Sequence, residues 1–430
     1  MIHSVKLENV GVAPYMDLDF LPRLNLITGD NGLGKSFLLD VVWWILSRKW
    51  PAQLNSHLSS GAMARPLVAQ KAARITFTLD GKRHSTKTYT STYDRRDQAW
   101  EGRQGRPLNP GLVLYAMSDG SFAVWDPARN YWKTRGNADI QEKVPAYVFS
   151  ANEIMYGLSK PNEYPKEVWL CNGLLRDVET WRLKHNLAWQ QFTEVLKKLS
   201  PDGEEMCIGE AKKVGADEEL YVPTLETPYA AAVPVIYASA AIRRILSLAY
   251  CLVWAWQSHV SASEEIGQEP EKHIIFLIDE IEAHLHPRWQ RTIARALVDV
   301  VNSLTNQAET QVILTTHSPL VMAGCEDFFT SEKDQWLDLD LVDRRVQITS
   351  RDFEKIGTAD QWLTSDAFDL KSTRSPGAEQ LLNEAAELLK VQPSRQELED
   401  MDTRLSLILH PMDRDLFLWR YQKEKKEAEI

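Results

Sequence analysis

Near the start of the chain, Gly29-Asp30-Asn31-Gly32-Leu33-Gly34-Lys35-Ser36 matches the pattern G-x-x-x-x-G-K-[ST] in full. The pattern serves one kind of chemistry. Backbone amides must curl around a phosphate, so Cβ atoms have to be absent at the tight points, Gly29 and Gly34. Lys35 is expected to reach the β- and γ-phosphates of a nucleotide, and the Ser36 hydroxyl to ligate Mg²⁺. Gly29, Asp30, Asn31, Gly32, Gly34, Lys35, Ser36 and Phe37 form the candidate nucleotide-binding set.

Two further constellations lie late in the chain. Residues 274–278 are a continuous apolar run that ends in Asp279-Glu280. Such a strand places both carboxylates at the C-terminal edge of a parallel sheet, where ligands bind. Asp279 is expected to hold Mg²⁺ and Glu280 to polarise the attacking water. An acidic helix cap after a strand is the plainer reading, and the phosphate loop tips the balance towards chemistry. The run 311–315 leads into Thr316-His317-Ser318-Pro319. A lone strand-end histidine is usually satisfied by backbone. One strand beyond the acidic pair, His317 is expected to meet the γ-phosphate and help orient the water. Ser239 opens an apolar helix, where a serine is ordinarily a cap.

These groups need elements that bring them together. Residues 5–7 and 16–20 alternate as short strands do, and 24–28 reads as a buried strand feeding the glycine turn. A helix over 37–47 then points its positive end at the anion. Residues 73–125 read as β-rich, with turns at Asp80-Gly81 and Asp119-Gly120. Residues 165–199 read as helical and 209–219 as polar loop. An apolar helix is expected over 238–258, a charged linker over 264–271 and a buried strand over 273–278. A helix over 287–303 and a buried strand over 311–315 follow. Beyond Asp327 the pattern loosens until Ser375-Pro376 opens a helix running to Lys390. The charged tail carries Leu405, Leu407, Leu409, Phe417 and Trp419, which suit a docking helix and a helix packed on its own domain equally well. No repeat and no long heptad array occurs.

The composition sets limits. With 430 residues, 44% hydrophobic and 25% charged, the chain can form one large or two to three ordinary globular domains. Its net charge of -11 repels nucleic acid, so any such contact needs a local basic patch. Arg95, Arg96, Arg103 and Arg106 are the candidates, a solvated loop being the plainer reading. No apolar run reaches membrane-spanning length and no signal peptide opens the chain, so a cytoplasmic protein without membrane contact is expected. Cys171, Cys207, Cys251 and Cys325 lack metal-like spacing and read as thiols of a reducing compartment.

Together these motifs resemble the RecF/SMC/OLD branch of ABC ATPases over most of residues 1–325. The opening VKLENVG…LDFLPRLNLITGDNGLGKSFLLDVV is similar to the branch's first strands and Walker A. IIFLIDEIEAHLHPRWQ is similar to its Walker B segment, and QVILTTHSP to its switch-histidine strand. The resemblance implies an α/β P-loop NTPase fold of ABC type, with an inserted β-rich and helical subdomain and a helical C-terminal extension. Residues 1–160 would form the lobe with Walker A and the β-rich part, and 161–235 a helical insertion. Residues 236–330 would carry the signature helix, Walker B and switch histidine, and 331–430 an accessory and partner-docking region. The branch implies a homodimer or higher oligomer with two ATP molecules, each between Walker A of one copy and the signature of the other. Lys35 and Ser36 map onto phosphate and Mg²⁺ binding, Asp279 onto Mg²⁺, Glu280 onto the catalytic base, His317 onto the switch histidine and Ser239 onto the signature serine. Ala240 and Ala241 stand where glycines are common, and their methyl groups hinder approach to the γ-phosphate. Closure is then weaker or partner-dependent. His284 and His286 read as a dimer-contact loop, since the family carries this segment without a metal.

In layout the chain is similar to stand-alone ATPases of bacterial anti-phage systems, such as Septu, PARIS and retron-associated ATPases. These have an ABC core without long coiled-coil arms and dock a separately encoded effector. That resemblance implies an ATP-hydrolysing regulator of a nuclease partner, of HNH or TOPRIM type. About 110 C-terminal residues hold no recognisable effector of their own. Asp338 and Asp340 make an Asp-x-Asp, but the rest of a TOPRIM set is missing, as are HNH spacing and a PD-(D/E)xK core. No nuclease activity is expected in this chain. The alternatives are a RecF-like DNA-repair or DNA-clamping ATPase, marked by salt-dependent duplex binding, and a scaffold with negligible turnover. Asn152 is the one guess at a Q-loop residue.

Overall fold

The computed structural model describes residues 1–80, 86–102, 109–130, 144–161, 167–201, 203–215, 220–227, 230–368 and 370–429. The apolar runs that carry the motifs form the strands Leu24–Gly29, His273–Asp279 and Glu309–Thr315, buried along most of their length. Parallel strands covered on both faces require such runs. They lie in an eight-stranded sheet. Its order is Arg345–Arg351, Asp334–Val342, Leu24–Gly29, Glu309–Thr315, His273–Asp279, Leu112–Ala116, Phe122–Trp125, Tyr147–Phe149. Pairings from Asp334–Val342 through Leu112–Ala116 are parallel, and the outer ones are antiparallel. Asp279 lies opposite Thr315, and Thr315 opposite Ile27, so the three motif strands end on one edge. That edge is where open α/β sheets bind ligands.

The alternating segments 2–20 and 74–94 form an antiparallel sheet in the order Ala13–Asp19, Ile2–Val10, Arg74–Asp80, Thr86–Asp94, Ala99–Trp100. Its apolar face shares one core with the helix Lys35–Ser47 and the parallel strands. Nearly every residue of that helix is buried, as expected of an interior helix with apolar residues on all sides. Trp43, Trp44, Trp50 and Trp100 belong to this core, with Trp44 stacked on Trp50 at 5.4 Å between ring centroids. Several of the chain's 15 tryptophans thus serve packing. The helix Ala240–Glu265 begins after Ser239, whose Oγ accepts from the Ile242 amide at 3.3 Å. It packs against the helix Leu187–Leu199 and the strand Phe122–Trp125.

Three stretches differ from the sequence expectation. Residues 167–171, expected helical, form the strand Glu167–Cys171 paired with Leu158–Pro161. The expected loop 209–219 is in part the strand Cys207–Lys213, which joins Tyr221–Thr227 and Ala230–Pro234 in a three-stranded sheet. Pairing with a neighbouring strand overrides the weak local preference of these polar segments. The region 161–235 thus contains strands beside the helices Leu174–Lys184 and Leu187–Leu199. Past residue 330 the strands Asp334–Val342 and Arg345–Arg351 extend the main sheet. Asp338 of the Asp-x-Asp is buried there, accepting from the Thr28 hydroxyl at 2.7 Å and from Arg351 at 3.3 Å. It ties its strand to the one that leads into the glycine turn.

The chain divides into two compact units, Met1–Ala359 and Asp360–Ile430. The second contains the helices Pro376–Lys390, Arg395–Ile408 and Arg414–Glu429, with a core that includes Leu381, Leu398, Leu405, Leu409, Leu416 and Trp419. Ser394 and Glu397 form a capping box that fixes the start of the middle helix. Leu405, Leu409 and Trp419 pack inside this unit, whereas Leu407 and Phe417 are exposed. No helix among the described residues is long and apolar enough to cross a membrane.

Candidate functional site

The glycine turn is built from backbone constraints. Gly29, Gly32 and Gly34 have φ of 132°, 82° and 99°. A Cβ on Gly29 would sit 2.3 Å from the Leu339 carbonyl oxygen, and one on Gly34 would sit 2.8 Å from a Val12 methyl. At Gly32 there is open space, so only its dihedral angle asks for glycine. Gly34 caps the helix without a side-chain bond, and the helix's first bond runs from the Leu38 amide to Gly34 at 2.9 Å. The amides of Lys35, Ser36 and Phe37 precede that bond, the arrangement that receives anions. The Phe37 ring packs over Gly11, where a Cβ would lie 2.1 Å from it, so Phe37 can offer a phosphate only its amide. Asp30 and Asn31 are exposed.

Lys35 is buried, and its Nζ donates to the carbonyls of Gly29 at 2.8 Å and Asp30 at 3.0 Å. Burial pushes its pKa down, while the charges of Glu280, Asp279, Asp30 and Glu282 oppose that shift. Asp279 ends its strand buried, with Oδ1 accepting from the Thr315 hydroxyl at 2.7 Å. Glu280 adopts φ of 46°, an uncommon conformation for a residue with a side chain and one that gathers at functional sites. Its amide donates to the Thr315 carbonyl at 3.2 Å, and its carboxylate lies 3.1 Å from His317 Nε2. The hydrogen bond to His317 is the main cause holding Glu280 below the usual carboxylate range, with Lys35 and Arg244 adding to it. Lys35, Asp279, Glu280 and His317 therefore share one electrostatic neighbourhood.

Two residues of this neighbourhood had no role in the sequence reading. Glu282 is buried, and its Oε1 accepts from the Thr316 hydroxyl and the His317 amide, both at 2.7 Å. Its Oε2 is buried without a hydrogen-bond partner among the described residues, a situation that costs about 1–3 kcal/mol. Burial raises its carboxyl pKa. Arg244, from the helix Ala240–Glu265, donates to the Asp279 carbonyl at 3.0 Å and the Met117 carbonyl at 3.3 Å. Burial lowers its pKa, opposed by the charges of Glu282, Asp279 and Glu280. The available signals were an acid two places beyond Glu280 and the pair Arg243-Arg244 at the head of an apolar helix.

Asp40 lies on the buried helix, where Tyr115 donates to its Oδ1 at 3.0 Å. Burial is the main cause that raises its pKa from 3.8 to about 7. Between those values the folded chain holds a proton that the unfolded chain has released, so stability falls as pH rises through that window. Asp40→Asn cannot ionise and keeps an acceptor for Tyr115. Its melting temperature relative to wild type is expected to rise from about pH 5 to about pH 8. A difference independent of pH would contradict this.

Ser239 lies elsewhere. It is exposed and lines a cavity of about 430 Å³ with Glu204, Ile242, His286, Arg288 and Trp289, and no phosphate-loop residue borders it. Ala240, the first residue of its helix, is exposed as well. His286 caps the next helix, whereas His284 lines a different cavity with Asp119, Asn152 and Arg243. Among the described residues no group of three or more His, Cys, Asp or Glu side chains could hold a metal. Arg95 and Arg96 are exposed in the turn after Thr86–Asp94, while Arg103 and Arg106 fall outside the described residues.

Two AAA-domain families match parts of the chain. One covers residues 4–109; the other, whose description includes the words "AbiEii toxin, Type IV TA system", covers 246–323. The chain is 21% identical to a Septu protein PtuA of Bacillus thuringiensis over 421 residues, 96% of this chain and 94% of that protein. It is 50% identical over 48 residues to the Retron Vc95 probable ATPase of Vibrio cholerae serotype O1 biovar El Tor, 11% of this chain and 8% of that one. Among solved structures, an Smc head bound to the C-winged helix domain of ScpA aligns with TM-score 0.47 and 13% identity, covering 82% of this chain and 99% of that one. RecF-ATPrS aligns with TM-score 0.36 and 12% identity, covering 81% and 98%.

Proposed function

We propose that this chain is an ABC-type ATPase of the RecF/SMC branch that closes as a dimer around ATP to license or restrain a separately encoded nuclease in bacterial anti-phage defence. In this reading Lys35 and the amides that follow Gly34 grip the triphosphate. Glu280, kept ionised by its histidine partner, accepts a hydrogen bond from the attacking water and polarises it. His317 donates to the γ-phosphate and holds Glu280 in place. Ser36 and Asp279 offer hard oxygen ligands for Mg²⁺, and the Thr315 bond fixes the Asp279 carboxylate for that task. When bound, Mg²⁺ would supply positive charge to offset that of the phosphate oxygens. The chain itself cuts no nucleic acid, and it works in the cytoplasm.

One observation carries the dimer. Ser239 opens onto a cavity that shares no residue with the glycine turn, which supports a reading in which the serine meets a nucleotide held by another copy. The full-length likeness to a Septu protein supports the defence role. Native mass measurement tests the dimer. With Mg²⁺ and ATP, the Glu280→Gln protein should double from 49.2 kDa, and Ser239→Arg added to it should hold the mass at one chain while ATP still binds. A Glu280→Gln protein that stays at the single-chain mass with ATP bound would contradict the dimer.

A further inference from the structure

We propose that Glu282 is a positioning residue that aims His317 at Glu280 and the γ-phosphate; this rests on reading Glu280 and His317 as the hydrolytic pair. Its Oε1 takes two donors at once, the Thr316 hydroxyl and the His317 amide, each at 2.7 Å. The same Thr316 hydroxyl accepts from the Ser318 amide at 3.0 Å. The Ser318 hydroxyl in turn donates to Gln290 at 2.7 Å and caps the helix Pro319–Cys325. One buried oxygen thus sets residues 316–318, where the chain turns from strand to helix. His317 reaches Glu280 from this segment, at 3.1 Å. Removing the oxygen leaves the imidazole attached to a turn without its anchor.

The geometry also says what the group must be. Both contacts go to one oxygen, while the other is buried without a partner among the described residues. An acceptor oxygen in that place is required and a negative charge is not. Burial favours the neutral acid, in keeping with this. Glutamine has the same shape and an oxygen in the same position, so Glu282→Gln should serve, whereas Glu282→Ala should not.

The test uses purified full-length wild type, Glu282→Gln, Glu282→Ala and Thr316→Val, with melting curves to confirm folding. Turnover is measured against ATP concentration, and the His317 imidazole is titrated by nitrogen-15 NMR, assigned through loss of its signal in His317→Asn. Glu282→Ala is expected to lower kcat about tenfold to a hundredfold, the scale of a misplaced catalytic group, with KM for ATP little changed and the His317 titration displaced. Thr316→Val, which keeps the carboxyl but removes one donor, should shift both readouts in the same direction by less. Glu282→Gln should match wild type in both. The proposal is overturned if Glu282→Ala keeps wild-type kcat and an undisplaced His317, or if Glu282→Gln is as impaired as Glu282→Ala. If wild type itself hydrolyses no ATP, the hydrolytic reading falls and the imidazole alone decides. Displacement in Glu282→Ala but not in Glu282→Gln then supports the positioning role, and any other pattern overturns it.

Discussion

Glu280→Gln is expected to lower steady-state ATP turnover by about a hundredfold or more, with ATP affinity kept, because general-base catalysis contributes factors of about 10² to 10⁴. Glutamine fills the same volume and can still meet His317, so the turn that places residue 280 at φ of 46° is left alone. In the proposed mechanism the substitution removes the charge that polarises water. Turnover of the wild type should show the companion effect in its pH profile. Glu280 is held below the usual carboxylate range chiefly by the His317 hydrogen bond, so its basic form persists as pH falls and turnover is lost only below that lowered pKa. His317→Asn removes the main cause of the shift, so the acid limb should move up in pH. An unchanged limb in that variant, or wild-type turnover in Glu280→Gln, would remove both residues from the reaction.

Lys35→Ala is expected to abolish measurable turnover and weaken ATP binding at least about a hundredfold. Hydrogen bonds to charged groups contribute about 1.5–3 kcal/mol each, and two phosphate contacts at the lower value already amount to that ratio. The local charge balance adds to the loss. Lys35 is the cation of the glycine turn, and it faces Glu280, Asp279, Asp30 and Glu282. Without it a triphosphate meets these acids with one cation fewer to offset them. Isothermal titration with ATP and Mg²⁺ reads the affinity, and a melting curve separates a lost ligand from a lost fold. An alanine variant that binds ATP as tightly as wild type would show that the nucleotide sits elsewhere.

The motif strands were legible because each carries its own signal. A run such as 274–278 has few ways to be buried other than as a central parallel strand, and the glycines at 29 and 34 have few uses other than a tight turn. The register that lines up Asp279, Thr315 and Ile27 then follows from the parallel pairing. Less local features were harder to read. Glu167–Cys171 and Cys207–Lys213 become strands only because partners exist for them, and the strand Asp334–Val342 looks irregular until it is paired with Leu24–Gly29. Gly29 also answers to Leu339, more than 300 positions away. Glu282 and Arg244 escaped notice for a related reason. An acid after Asp279-Glu280 or an arginine at a helix start usually points into solvent, and only the folded chain shows the one holding His317 and the other holding the Asp279 carbonyl.

The most direct test is a structure of the Glu280→Gln protein with Mg²⁺ and ATP. The expected result is a triphosphate in the turn 29–36 of each protomer, its outer phosphate beside Lys35, residue 280 and His317, and closed off by Ser239 from the second copy. A nucleotide bound away from that turn, or one whose γ-phosphate lies out of reach of residue 280 and His317, would contradict it.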